Sequence, residues 1–222
     1  MKITSKILLP HVYSLNFDTR YDLCMSFVRI QEFYESPKFR GKYFTLEQYI
    51  DYWCKDFGKG SFTYPSVWGG FNVPGKVLNN WINKFQRRNN DVRDKENKIF
   101  EKICVLMRKE GVTDYKKIYV IGTHSENKAC ADEITINHEL AHAMYSLYPK
   151  YKKSCKELIN GLTKEQYEKF KDKLIKMGYC NEVVDDELQA YFSTGLIGEG
   201  DDLFSGKPEF ISNFQSFKNN LK

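Results

Sequence analysis

A mostly helical α+β fold is predicted by this sequence on two observations. Apolar residues recur at the spacing of amphipathic helices along most of the chain. One short run, Lys117 to Ile121, has the β-branched and aromatic composition of a strand, and Gly122 follows it. We therefore expect helices to dominate and a small sheet to accompany them.

The order of the elements follows from the apolar spacing and from residues that begin or end helices. Thr45 and Thr163 are each followed three residues later by a glutamine, which is the pattern of a capping box at a helix start. Residues 58–75 are rich in glycine, proline and aromatic residues and predict an ordered loop or a hairpin. The predicted helices cover residues 20–35, 45–54, 77–85, 99–107, 136–147, 163–177, 181–192 and 208–221.

Length and composition bound the organisation of the chain. Of its 222 residues, 41% are apolar and 15% are aromatic, which is enough for a sizeable core. We expect one compact unit overall, with a mostly helical N-terminal part, 1–115, packed on a C-terminal part, 116–222. The net charge of +5 is mild and does not indicate a nucleic-acid partner. The oligomeric state is not indicated by any sequence pattern.

Cysteine usage and hydropathy predict a cytoplasmic protein. The six cysteines are scattered without a C-x-x-C pair, as is typical of reduced thiols in a reducing compartment. No apolar run approaches the roughly 18 residues that a membrane span needs. Lys2 and Lys6 precede the apolar run 7–9, but this run is too short for a signal peptide.

The sequence His138-Glu139-Leu140-Ala141-His142 is an H-E-x-x-H motif. On a helix, positions i and i+4 lie on the same side, so both imidazoles can reach one metal ion. Glu139 can then act as general base toward a water bound to that ion. We therefore predict a Zn²⁺ site in which His138 and His142 are ligands.

The residues around the motif predict a helix. Apolar side chains follow Ile136 at helical spacing and form a stripe opposite the two histidines. Thr135 or Asn137 can cap the start of this helix, and Pro149 supplies a stop. The alternative is a surface helix with two solvated histidines, but it leaves the position of Glu139 unexplained.

A third ligand is expected because catalytic zinc usually binds three protein groups. No H-x-x-G-x-x-H continuation follows His142. In the helix predicted for residues 181–192, Glu187 is the one charged residue on an otherwise apolar face, and a buried carboxylate needs a cation or hydrogen-bond donors. Glu187 is the predicted third ligand. The alternative is that its carboxylate pairs with a surface lysine.

The pattern H-E-L-A-H followed at a distance by E-x-x-A resembles gluzincin-like zinc metallopeptidases. It also resembles the anthrax lethal factor-like enzymes and the repressor-cleaving metallopeptidases of bacterial stress and phage responses. The resemblance covers residues 117–195, and the spacing of 44 residues between His142 and Glu187 is closest to the lethal factor-like arrangement. It implies a zincin-like catalytic part with a small sheet beside the H-E-x-x-H helix.

The same resemblance implies two further features of the site. The strand that precedes the metal-binding helix in zincins borders the cleft, so residues 117–121 or an adjacent edge would pair with an extended peptide. An interior strand is the alternative. The lethal factor-like pattern also implies that Tyr179 stabilises the oxyanion, with Tyr191 and Tyr145 as rivals. His124 is interpreted as an ordinary loop histidine, and a role as donor to the site is the alternative.

The predicted function is that of a zinc metallopeptidase acting on a peptide or protein substrate. The alternatives are a zinc amidase or deacylase that acts on a non-protein amide, and a zinc-binding regulatory or interaction module without catalysis. The glutamate inside the motif favours an enzyme, because a structural zinc site fills its coordination shell and needs no base.

Overall fold

The computed structural model describes residues 1–126, 133–176, 181–195 and 205–221. The chain forms two compact units, Met1–Ala131 and Asp132–Lys222. Across the described ranges helices predominate and accompany one four-stranded mixed sheet, which confirms the α+β prediction. None of the described helices is long and apolar enough to cross a membrane.

The sheet belongs to the first unit and has the strand order β1-β2-β4-β3. Its strands are β1 (Ile3–Leu9), β2 (Val12–Phe17), β3 (Phe71–Pro74) and β4 (Tyr119–His124). β4 pairs in parallel with β2 along its whole length and antiparallel with β3. Because this pairing fixes β4 in the sheet, the first unit extends past the boundary that we predicted at residue 115.

The structure has the alternative that we gave for residues 117–121, an interior strand, and a hairpin that we did not predict. β4 is an interior strand, so the hydrogen-bonding groups of residues 119–121 are used within the sheet and cannot pair with a peptide; β1 and β3 form the edges. The hairpin of β1 and β2 was not predicted from the sequence. In β2 the apolar residues Tyr13, Leu15 and Phe17 alternate with polar Ser14 and Asn16, so a strand signal was present over five residues and was overlooked.

In the described residues of the first unit, four α-helices accompany the sheet: α1 (Arg20–Glu35), α2 (Leu46–Asp56), α3 (Gly75–Ile82) and α4 (Asp94–Lys109). The predicted capping box at Thr45 is present at the start of α2, where Thr45 and Gln48 satisfy each other's backbone N–H groups. At Gly122 of β4, an added Cβ would lie 2.8 Å from the Phe27 ring of α1. The close packing of α1 on the sheet therefore depends on this glycine.

A buried ion pair joins α1 to α4. The Arg29 guanidinium donates two hydrogen bonds to Glu96, at 2.8 and 2.6 Å, and both side chains are almost fully buried. Asp91 accepts a further bond from the same guanidinium. The charges are therefore compensated inside the core, as burial of a guanidinium requires.

Glu32, like Glu96, has a carboxylate that is largely removed from solvent, but its hydrogen-bond partners are hydroxyl groups. Tyr64 donates a hydrogen bond of 2.9 Å to its carboxylate, and Tyr49 and Ser36 also bond to it. Burial raises the pKa of Glu32 from 4.5 to about 7, although these hydrogen bonds act in the opposite direction.

The raised pKa of Glu32 predicts a loss of stability as the pH increases. Between the unfolded value of 4.5 and the folded value of about 7, the folded protein binds more protons than the unfolded chain, so the free energy of unfolding falls as the pH rises through this range. We expect the melting temperature to fall by several degrees between about pH 5 and pH 8. Glu32→Gln, which cannot ionise, should flatten this dependence in calorimetric scans. An unchanged slope in the variant would contradict the assignment.

The second unit contains five α-helices in its described residues and no strand there. These helices are α5 (Glu133–Leu147), α6 (Pro149–Asn160), α7 (Lys164–Lys176), α8 (Val184–Thr194) and α9 (Pro208–Asn220). α6 was not predicted, because Pro149 was interpreted only as a stop. Pro149 occupies the first turn of α6, where its missing N–H costs no hydrogen bond.

Candidate metal centre

Helix α5 carries the H-E-x-x-H motif, as predicted. His138 and His142 lie one turn apart, and both are at least 95% buried, at 5% and 3% exposed, which excludes a surface helix with solvated histidines. The helix begins at Glu133, so Thr135 and Asn137 lie inside it and do not cap its start.

Helix α8 packs against α5 and brings Glu187 to the two histidines. Ala190, one turn after Glu187, is fully buried, and its small side chain suits this close packing. α8 ends at Gly195, which has the left-handed backbone conformation (φ 63°) of a helix C-terminus. Glu187 is only 8% exposed, so its carboxylate lies inside the unit, as the sequence predicted.

The three predicted ligands converge. The Nε2 atoms of His138 and His142 are 3.3 Å apart, and Glu187 Oε2 lies 3.7 Å from His142 Nε2. One ligand atom from each side chain falls within 4.8 Å of the other two. This buried group of two imidazoles and one carboxylate could hold a metal ion.

The second nitrogen of each imidazole has a partner on α8. His142 Nδ1 donates to Asp186 Oδ1 at 2.9 Å. His138 Nδ1 lies 3.4 Å from Thr194 Oγ1, and the His138 ring also makes a hydrogen bond to the backbone of Ala190. Bonds of this kind fix the ring orientation and the tautomer of a metal-binding histidine, leaving Nε2 for the ion.

The Asp186 carboxylate is itself held in place by a chain of buried side chains. Gln189 Nε2 donates to Asp186 Oδ1 at 3.1 Å, and Tyr151 of α6 donates to Gln189 Oε1 at 2.9 Å. Gln189 and Tyr151 are both fully buried. From the helical spacing we expected Asp186 and Gln189 to lie away from the face that carries Glu187, and we did not expect Tyr151 near the site. A helical count cannot show that Asp186 reaches the far nitrogen of His142.

The electrostatic environment of the site favours a cation. Burial alone would lower the pKa of His142, but the carboxylates of Glu187 and Asp186 raise it to about 10, with a smaller contribution from Glu139. Burial and the neighbouring charge of His142 hold the pKa of His138 well below its usual value. The site therefore favours a positive charge on His142 rather than on His138. A divalent ion would replace the proton on His142.

The residues predicted to take part in catalysis have different positions relative to the two histidines. Glu139 is partly buried on α5, and its charge acts on His142, as expected of a residue next to the site. Tyr179 lies outside the described residues. Its rival Tyr191 packs its ring edge-on against the His138 ring, at 4.7 Å between centroids.

Tyr145 and His124 have other environments. The Tyr145 ring lies under the Lys152 ammonium at 4.6 Å, and burial together with the charge of Asp185 raises its pKa. His124 is the last residue of β4 and is fully buried, so its interpretation as a loop histidine was wrong. Burial lowers its pKa, which favours the neutral ring.

Comparison with models of known protein families, with curated proteins and with solved structures gave no match. The candidate metal centre therefore rests on the geometry of its own residues.

Metal affinity should depend on Glu187 and, through His142, on Asp186. With Zn²⁺ as the probe ion, Asp186→Asn should weaken binding by about 10- to 100-fold, because the amide no longer holds the Nδ1–H of His142 with a charge. Glu187→Ala should weaken binding further, since it removes a ligand atom. Competition with a chromophoric chelator measures these affinities.

Asp185→Asn is the matched control for this series. The Asp185 carboxylate accepts a hydrogen bond from Tyr167 at 3.0 Å. Its substitution makes the same chemical change, from a carboxylate to an amide, at a residue whose hydrogen-bond partner is a tyrosine rather than a histidine. If Asp185→Asn and Asp186→Asn lose the same affinity, Asp186 has no specific role. Full retention of zinc by Glu187→Ala would move the third ligand to another carboxylate.

Proposed function

We propose that the protein is a zinc-dependent metallopeptidase. The observation that supports this most is the convergence of three buried ligand atoms, from His138, His142 and Glu187, beside the glutamate of the same H-E-x-x-H motif. Two imidazoles and one carboxylate are the ligand set of one major class of catalytic zinc sites, and that set leaves a coordination position open.

The distances agree with zinc. Two ligands that each lie about 2.0–2.1 Å from a tetrahedral ion are about 3.3–3.4 Å apart. The Nε2 atoms of His138 and His142 are 3.3 Å apart, which matches this separation. The 3.7 Å between His142 Nε2 and Glu187 Oε2 requires a contraction of only a few tenths of an ångström. The mixed nitrogen and oxygen donors also suit zinc better than calcium or magnesium, which prefer oxygen alone.

The residues of the site divide the chemistry among them. When bound, zinc supplies a water of lowered pKa and polarises the carbonyl of the scissile bond. Glu139 accepts the proton of that water and returns it to the leaving amine. Asp186 and the backbone of Ala190 hold the two imidazoles in the tautomer that ligation needs. The substrate of a site with these ligands and this base is an amide bond of a peptide or protein.

The ligand number favours a catalytic site over a structural one. Structural zinc sites are closed by four protein ligands, whereas this group offers three in the described part of the chain. A carboxylate that can act as base is also without purpose in a structural site. A zinc amidase or deacylase would use the same residues, and substrate screening separates it from a peptidase.

Glu139→Gln should abolish hydrolysis while zinc and the fold are retained. The amide is almost the same size but cannot accept a proton from water. A peptide-library digest followed by mass spectrometry measures turnover, and elemental analysis measures zinc. Comparable turnover by the wild type and the variant would contradict the assignment of Glu139 as general base. Asp185→Asn serves as the control, because it changes a carboxylate to an amide away from the ligands.

The oxyanion donor is assigned by comparing two tyrosine variants. Tyr179 is the candidate that the lethal factor-like resemblance implies, and Tyr191 is the candidate whose ring contacts His138. Loss of a hydroxyl that acts in the transition state should lower kcat by about 100-fold with little change in KM. Tyr179→Phe should show this loss and Tyr191→Phe should not. The opposite result would transfer the role to Tyr191.

A further inference from the structure

A groove in the first unit has the composition of a binding site. It has a volume of about 590 Å³ and lies between the loop that follows α1 and one face of α2. The side chains of Lys38, Lys42 and Lys55 line it together with the aromatic rings of Tyr43 and Tyr52. The volume lies within the range of small-molecule sites, about 300–1,000 Å³.

The three lysines carry charge that the protein does not neutralise locally. No salt bridge within the described ranges involves Lys38, Lys42 or Lys55. The Lys38 ammonium lies 4.1 Å from the centroid of the Tyr52 ring, and Lys42 Nζ donates to the Lys38 carbonyl at 2.9 Å. Asp51 is the one carboxylate that lines the groove. The groove therefore favours an anion.

Tyr43 provides a fixed aromatic surface at the groove. Its hydroxyl donates to Asp91 Oδ2 at 3.0 Å, and its ring packs on Phe85 with 5.2 Å between centroids. Lys84 Nζ donates to the Gly41 carbonyl at 2.6 Å and so fastens the same loop. Tyr43 nevertheless remains 39% exposed. A ligand ring could therefore stack on it without first ordering the loop.

Charge is distributed unevenly along the chain. Residues 1–131 contain 22 Lys and Arg against 14 Asp and Glu, a net charge of +8, whereas residues 132–222 contain 12 against 15, a net charge of −3. The overall value of +5 conceals this asymmetry. Basic and aromatic residues alternate in the groove loop itself, as Lys38-Phe39-Arg40 and Lys42-Tyr43-Phe44. Charge asymmetry of this kind is typical of a part that binds a polyanion.

We propose that this groove binds single-stranded nucleic acid. A base stacks on Tyr43, and the ammonium groups of Lys38, Lys42 and Lys55 contact the adjacent phosphates. An acidic peptide would also satisfy the lysines, but its carboxylates make no use of the exposed aromatic face, whereas every base has a ring to place there. The proposal is independent of the metal centre and goes beyond the proposed peptidase activity.

Fluorescence anisotropy with a labelled 12-nucleotide oligo-dT tests the proposal on the full-length protein at low salt. Binding should weaken with salt, with a slope of log K against log [salt] of about −2, because three phosphates on a single strand contribute about −0.7 each. The triple variant Lys38→Gln, Lys42→Gln, Lys55→Gln should bind at least about tenfold more weakly. Its control is Lys109→Gln, Lys116→Gln, Lys117→Gln, which removes the same charge from exposed lysines of the first unit outside the groove.

A pair of Tyr43 variants tests the stacking. Tyr43→Phe keeps the ring and should keep binding within about twofold, whereas Tyr43→Leu should lose about tenfold or more. Circular dichroism establishes that each variant is folded, and Tyr43→Phe reports separately on the lost bond to Asp91. The proposal is overturned if the wild type does not bind the oligonucleotide or if both lysine triples weaken binding equally. It is also overturned if a 12-residue polyglutamate competes as well as unlabelled oligo-dT, which would make the occupant an acidic peptide.

Discussion

The hydrogen bond between His142 Nδ1 and Asp186 is the interaction on which the geometry of the candidate metal centre depends. This bond joins α5 to α8. Glu187, the next residue of α8, lies close to Nε2, the other nitrogen of the His142 ring. Adjacent residues of one helix thus contact opposite sides of a single imidazole. A small rotation of α8 would break both contacts, so the packing of these two helices and the alignment of the ligands are one constraint. The Asp186–Gln189–Tyr151 chain extends this constraint to α6.

The same arrangement places charged groups beside the apolar interior of the second unit. The buried Glu187 carboxylate, the partly exposed Asp186 carboxylate and two buried imidazoles meet beside buried apolar residues such as Leu188 and Phe192. Burial of like charges is unfavourable, and a neighbouring positive charge reduces the cost. In the first unit the corresponding problem is solved within the chain, since Arg29 compensates Glu96. In the second unit the compensating charge is the imidazolium of His142, because Glu187 and Asp186 raise the pKa of that ring to about 10.

Much of the metal centre could be predicted from sequence because its ligands obey helical periodicity. The i, i+4 histidines and the single charge on the apolar face of α8 are local patterns, and both were located correctly. The hydrogen-bond partners of the ligands were missed because they depend on how two helices pack. The β1–β2 hairpin was missed for a different reason: the alternation in β2 is only five residues long, from Tyr13 to Phe17, and the turn Pro10-His11 is not one of the Asn-Gly or Asp-Gly pairs that mark a hairpin. For α6, the proline at its start carries the same signal as a helix stop.

The separation of charge between the two parts of the chain bears on how each would meet a ligand. A basic surface attracts polyanions over roughly the 8–10 Å of the Debye length at physiological salt. The buried Glu187 carboxylate of the second unit acts mainly on groups in contact with it, such as the His142 imidazole. Long-range attraction and short-range coordination thus belong to different parts of the sequence. A substitution at an exposed lysine of the groove can therefore alter association without changing the distances among His138, His142 and Glu187, and the two sites are separable by mutation.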